Sequence, residues 1–180
     1  INTDIAKQHC SEIHYSIADK PYFAVGFRND SGGWELRNRY FKGSTTPKNI
    51  TTINNGNNAV MLFEGFIDFL SYLSLKQNAL PTIDSAILNS IANLSKAIPF
   101  LQTHQTIHTF LYNDEAGKRV VQSLSPICKE VIDQSVFYRD HKDLNDYWRD
   151  KSNLQKQPEK NRAAVQIKRQ LPTKKKGRSL

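Results

Sequence analysis

Two segments constrain this chain more than anything else in it. VMLFEGFID, residues 60–68, and FLYNDEAGK, residues 110–118, each run from a β-like apolar stretch into a carboxylate, then a glycine and an amphipathic helix. Apolar runs and helical patterns alternate from residue 59 onward. Strands are expected at 59–63, 84–88, 107–112 and 130–133, and helices at 91–98 and 115–124, with a final helix-like segment at 141–149. Phe66, Phe69, Leu70 and Leu73 supply the i, i+3, i+4, i+7 face of a further helix behind the first strand. Strands joined by crossover helices form a parallel sheet with right-handed connections. Both carboxylates then fall at its carboxyl edge, where open α/β sheets place their ligands.

Glu64 closes the first of these strands, and Gly65 lets backbone or phosphate approach without a Cβ in the way. Asp68 lies one helical turn further on and can face the same edge. Asp114 ends the third strand within Asn113-Asp114-Glu115-Ala116-Gly117-Lys118. Each acid also has an ordinary role open to it: Glu64 can complement a helix dipole, and Asp114 can cap a helix. A third cluster, His141-Lys142-Asp143-Leu144-Asn145-Asp146, follows the last strand and either joins the site or caps the final helix. Paired carboxylates without an intervening base read as a site for a hard divalent cation such as Mg²⁺, which takes oxygen ligands.

Residues 1–55 have a different texture. The first twenty suit a helix, capped by Asn2, Thr3 or Asp4, with Ile5, Cys10, Ile13 and Ile17 as its stripe. YFAVGFRN and WELRNRYF flank Asp30-Ser31-Gly32-Gly33, a hairpin composition, and a strand over 50–53 completes a small α+β subdomain. A core domain at 56–150 and a basic tail at 151–180 follow.

Charge separates that tail from the rest. The chain carries a formal +8, yet residues 151–180 hold ten Lys and Arg against Glu159 alone, which leaves about −1 for residues 1–150. A segment so polar cannot offset its ordering entropy, and we expect it to be disordered. It is either a contact for nucleic-acid phosphates or a solvated linker. Cys10 and Cys128 stand alone, and a structural zinc needs about four ligands, so neither a zinc ribbon nor a disulfide framework is indicated. No run of about 18 apolar residues and no signal peptide is present, which predicts a soluble cytoplasmic protein without a membrane partner. The chain starts at Ile1 without a Met, in keeping with removal of an upstream segment.

Taken together, strand-Glu-Gly-x-x-Asp, a strand running into Asp114 with Ala116-Gly117 after it, and Lys142-Asp143-x-x-Asp146 resemble the Toprim domain of bacterial DnaG-type primases, topoisomerases and related nucleases. Among these the chain is most similar to primase-like proteins of Bacteroides-type mobile elements that join a CHC2 zinc finger to Toprim. NDSGGWELRNRYFKG at 29–43 and LNSIANL at 88–94 carry that likeness. The resemblance spans roughly residues 20–148. It implies a four-stranded parallel sheet flanked by helices, with Glu64 and Asp114 as catalytic acids. It also implies metal ligands drawn from Glu64, Asp114, Asp143, Asp146 and Asp68, holding Mg²⁺ or Mn²⁺. The implied activity is nucleotidyl transfer in DNA replication, namely primer synthesis on single-stranded DNA from nucleoside triphosphates, with a helicase or another replication or mobilisation protein as partner.

One position departs from the family. Its Asp-x-Asp appears here as Tyr112-Asn113-Asp114, and a phenol with a pKa of about 10 does not replace an ionised carboxylate. A Toprim nuclease, or a nucleic-acid-binding module that has lost catalysis, therefore stays open beside the primase. At Arg37, Arg39 and Lys42, which follow the hairpin, the primase resemblance implies a basic surface for template or nucleotide, with Tyr40 and Phe41 available for base stacking and an ordinary solvated face as the alternative. Ser90, Lys118 and Arg119 are further candidates for nucleotide or nucleic-acid contact, each with a solvated or capping role as the alternative.

Overall fold

The computed structural model describes residues 1–156, with side chains to Leu154. Expectations for the tail fall mostly outside those residues. Residues 1–148 form one unit, and the described part of a second, beginning at Arg149, is helical.

Helix α1 (Thr3–His9) is short and capped by Asn2, whose side chain accepts from the N–H groups of Asp4 and Ile5. The helix predicted over the first twenty residues ends there. Cys10–Ile17 is instead a strand, β1, paired antiparallel with β2 (Lys20–Arg28) around Ala18 and Asp19, both at positive φ (47° and 62°). Eight cross-strand pairs outweigh a loose helical stripe, because Ile13, Tyr15 and Ile17 also alternate with strand period. Strands β3 (Trp34–Arg37) and β4 (Lys42–Ser44) complete an antiparallel sheet in the order β1-β2-β3-β4.

The second sheet has the order β5-β7-β6-β8-β9. Its members are β5 (Thr51–Ile53), β6 (Ala59–Phe63), β7 (Asp84–Ile87), β8 (Thr106–Phe110) and β9 (Glu130–Asp133). The last four are parallel, as expected, and β5 adds an antiparallel edge to β7. A sheet of four strands thus becomes five, and the strand read as part of the amino-terminal subdomain belongs to the second sheet. The crossovers contain α2 (Phe66–Lys76), α3 (Leu94–Gln102) and α4 (Glu115–Leu124), and α5 (Leu144–Lys156) follows β9.

Central strand β6 shows why the sheet holds. Met61 and Phe63 face a cluster with Phe66, Phe69, Leu73 and Tyr138, while Val60 and Leu62 face Ala97, Leu101, Ile107 and Val120 on the other side. Val60, Met61, Leu62 and Phe63 are each at most 3% exposed. At about 1.5–3 kcal/mol per fully buried side chain, this strand alone contributes on the order of 8 kcal/mol before entropy is counted. Phe27 of β2 enters the first cluster and stacks on Phe66 at 5.1 Å, which fixes the small sheet against the start of α2. Both cysteines are free, and burial pushes the Cys10 thiol up to about 11. His9 lies 2.6 Å from the Ala79 carbonyl and packs edge-on to Phe69, a structural role. No helix among the described residues is long and apolar enough to cross a membrane.

Candidate functional site

The parallel register of β6 and β8 pairs Phe63 with Phe110, so both chains leave the sheet at the same edge. Glu64 follows at once and Gly65 opens α2. The Tyr112 backbone N–H donates to the Glu64 carboxylate, yet the second oxygen, Oε2, is buried without a hydrogen-bond partner. Burial raises the Glu64 pKa, opposed by the Tyr112 N–H; the Asp114 charge raises it further, and Lys42 and Lys142 lower it. A buried acceptor left open in this way is a feature that calls for an explanation.

Asp114 is exposed and caps α4, its Oδ1 accepting from the Gly117 N–H at 2.9 Å. Its charge raises the Glu64 pKa, and the two acids follow paired strands at one sheet edge. Gly117 is needed for close approach, because a Cβ there would sit 2.2 Å from the Tyr112 carbonyl oxygen.

Asp68 is 2% exposed, one turn into α2, and its Oδ1 accepts from the Asn145 N–H at 3.2 Å. Burial first, then the charges of Asp143 and Glu64, push its pKa up to about 8, against the hydrogen bond from Asn145. Asp143 starts α5 by accepting from the Asp146 N–H at 2.8 Å, and Asp146 lies in the first turn of that helix. Of this last cluster it is the Asp143 charge that acts on Asp68.

Tyr112 stands among these acids. Its phenol is half-buried, and burial together with the charges of Asp68, Glu64 and Asp143 raises its pKa, so it stays neutral. The Lys142 ammonium sits 5.1 Å from the centre of its ring. Sequence reasoning missed the latch beside it. Asn113 donates from its side chain to the carbonyls of Tyr138 and His141, both at 2.9 Å, and from its backbone to Lys142, which holds the loop carrying Lys142 and Asp143 against the end of β8. Its place inside the Tyr-Asn-Asp segment was the only available signal.

From the small sheet, Arg37 and Lys42 form a cross-strand pair aimed at this edge. Burial lowers the Arg37 pKa, while the nearby Tyr112, Glu35 and Asp68 raise it. Arg39 is exposed on the connecting turn with its guanidinium over the Tyr40 ring at 5.4 Å. Phe41 turns to the far face, against Tyr15 and the Gly43 backbone. Ser90 caps a 3₁₀ turn and, with Glu35, Lys42, Lys48 and Asn89, lines a cleft of about 430 Å³ between the two sheets. Lys118 pairs with Glu115 at 3.0 Å on the surface of α4, and Arg119 is exposed there.

Among the described residues, no three His, Cys, Asp or Glu side chains are gathered closely enough to hold a metal ion as they stand. The donor set nevertheless suits a hard cation: carboxylate oxygens only, one buried and without a partner, with Asp114 and Asp143 each using one oxygen as a cap. Tyr112, a neutral phenol, stands among these carboxylates.

Residues 61–148 match a family model described as Toprim-like, and residues 1–46 match a domain of unknown function (DUF8464). No curated protein matches the sequence. Among solved structures, the primase fragment of the bacteriophage T7 primase-helicase protein is similar, at 16% identity and a TM-score of 0.58 over 81% of this chain and 64% of that one. The chain thus spans a little under two thirds of that fragment. A bacteriophage T7 lagging-strand DNA polymerase assembly, with primase domains of two gp4 subunits bound to an RNA/DNA hybrid and dTTP, matches at 13% identity and a TM-score of 0.48, over 73% of this chain and 74% of the other. The larger sheet with its flanking helices is a Toprim fold.

Proposed function

We propose that this chain performs metal-dependent nucleotidyl transfer on nucleic acid, and that its reaction is primer synthesis on single-stranded DNA from nucleoside triphosphates. The observation that carries the reading is the buried, unpartnered Glu64 Oε2 beside Asp114 at the carboxyl edge of a parallel sheet, faced by Arg37 and Lys42. Glu64, Asp114 and Asp143 would hold Mg²⁺ or Mn²⁺, with Asp68 behind them and Asp146 at the rim. The ion would supply Lewis-acid activation of a primer 3′-hydroxyl and charge neutralisation at the triphosphate. The chain's own groups do the rest: Arg37, Lys42 and Lys142 bring positive charge to the phosphates, and Asn113 fixes the loop that presents Asp143. Arg39, Ser90, Lys118 and Arg119 would serve the more distant template or nucleotide.

The same reading assigns residues 1–55, whose last strand β5 is lent to the second sheet, to an amino-terminal subdomain and residues 56–150 to a catalytic domain. It places the protein in the cytoplasm, in a primase-like element protein of the Bacteroides type that works with a helicase or mobilisation factor. Tyr112 favours one rival, a binding module without catalysis, because its neutral phenol removes a charge from the ion site. Calorimetric titration with Mn²⁺ tests the assignment: we expect binding that Glu64→Gln abolishes. An identical isotherm in that variant rejects the ligand set. Incubation of the wild type with Mn²⁺ and single-stranded DNA, with and without nucleotides, then separates synthesis from the nuclease alternative.

A further inference from the structure

The register of the small sheet sorts its side chains into two faces. On one face, successive cross-strand rows read Cys10-Phe27-Glu35-Ser44, then Glu12-Val25-Arg37-Lys42, then His14-Phe23. The first row is anchored by Phe27 on Phe66, at the start of α2. The second row carries the two cations whose charges reach the acids of the candidate site. The third row is an exposed aromatic pair: Phe23 is 59% exposed, the His14 side chain 73%, and their rings lie 6.3 Å apart. Glu12 sits 2.7 Å from His14 Nε2 and holds that ring in place. On the other face, the aromatics are occupied with one another, Tyr15 stacking on Tyr22 at 5.8 Å and meeting Phe41 at 6.0 Å.

We infer that the Phe23-His14 pair is a base-stacking platform for single-stranded nucleic acid entering the candidate site, with Arg37 and Lys42 contacting the phosphates between platform and acids. The inference rests on the proposed function and adds the path of the strand. Phe23 lies open beside His14, one cross-strand row from the row that carries Arg37 and Lys42. Rows on one face repeat about every 6.7 Å, close to the step of an extended nucleotide, so a base over Phe23 sets its neighbouring phosphate over the cationic row. Aromatic faces accept any base, so the platform is sequence-tolerant. Charge favours a polyanion as occupant: the row next to the aromatic pair carries Arg37 and Lys42 against Glu12, whose carboxylate is engaged by His14.

The test uses the full chain and a short labelled oligothymidine, read by fluorescence anisotropy. Phe23→Ala should weaken binding at least about fivefold with the slope against salt unchanged, because the lost contact is to a base and not to a phosphate. Phe23→Trp should restore it. Tyr22→Ala, one residue away on the opposite face, should bind like the wild type. With an abasic strand, wild type and Phe23→Ala should be equal. Equal affinity of Phe23→Ala and wild type for the normal strand overturns the inference, and so does an equal loss on the abasic strand. Loss of self-association in Phe23→Ala, seen by sedimentation, would also overturn it in favour of a second copy of the chain. Failure here leaves the Mn²⁺ titration of Glu64→Gln untouched, whereas failure of that titration with a working platform identifies a binding module without an ion site.

Discussion

Asp68→Asn is the substitution whose outcome the structure fixes most sharply. The carboxyl is 2% exposed and its pKa rises from an ordinary 3.8 to about 8. Between those pH values the native chain holds a proton that the unfolded chain has released. Native minus unfolded proton binding is therefore positive, and stability falls as pH rises, by about 1.36 kcal/mol per pH unit. At pH 7 the accumulated cost is on the order of 4 kcal/mol, a large share of the 5–15 kcal/mol margin typical of a domain. Asparagine keeps the oxygen that accepts from the Asn145 N–H and carries no charge to suppress. The variant should match the wild type near pH 4 and exceed it at pH 7 by up to about 4 kcal/mol, or roughly 8–16 °C in Tm for a domain of this size. Urea unfolding at pH 4 and 7 in the presence of EDTA, so that no cation offsets the charge, measures the difference. A stability gap that does not change with pH, or a variant less stable at pH 7, refutes the reasoning. If the proposed nucleotidyl transfer is this chain's activity, the stabilised variant should lose it, the usual exchange of stability against function at a charged site.

Asp84 provides the opposite slope. Burial would raise it, but hydrogen bonds from His104, the Asn57 side chain and the backbones of Asn55 and Asn57 outweigh that and hold it at about 2. The stability it supplies, on the order of 2 kcal/mol, is present above its unfolded value of 3.8 and lost as pH falls through about 2. Asp84→Asn should be less stable at pH 7 by at least that amount and show a flatter acid limb in a pH series of thermal melts. Gly117→Ala drives a Cβ into the Tyr112 carbonyl, so we expect a loss of about 1–3 kcal/mol by urea unfolding and a reduced Mn²⁺ affinity by calorimetry, since Tyr112 and Asp114 shift together. Tyr112→Asp returns a carboxylate to the acid cluster and should tighten Mn²⁺ by at least about tenfold. An unchanged isotherm would mean that the phenol does not stand at the ion position.

The local pattern fixed much of the larger sheet. Residues 59–63 and 115–124 were legible to the residue as β6 and α4, because an apolar run bounded by Glu64-Gly65 and an amphipathic segment opened by Asp114 each carry their own signals. The placement of Glu64 and Asp114 at one edge followed from alternation alone, since parallel crossovers allow no other arrangement. Pairing was not legible. Cys10–Ile17 became a strand because β2 was there to receive it, and β5 joined the second sheet because β7 offered a free edge. Both depend on partners distant in the sequence. The site's electrostatics were equally hidden: nothing in the segment Phe66-Ile67-Asp68 says that Asp68 is sealed from water beside Asp143, or that Asn113 latches the loop bringing Asp143 there. Sequence set which residues could carry charge at the sheet edge; tertiary packing decided which are buried, which are neutral and which aromatics stay open, because desolvation and cross-strand register are properties of neighbours that the chain brings together only when folded.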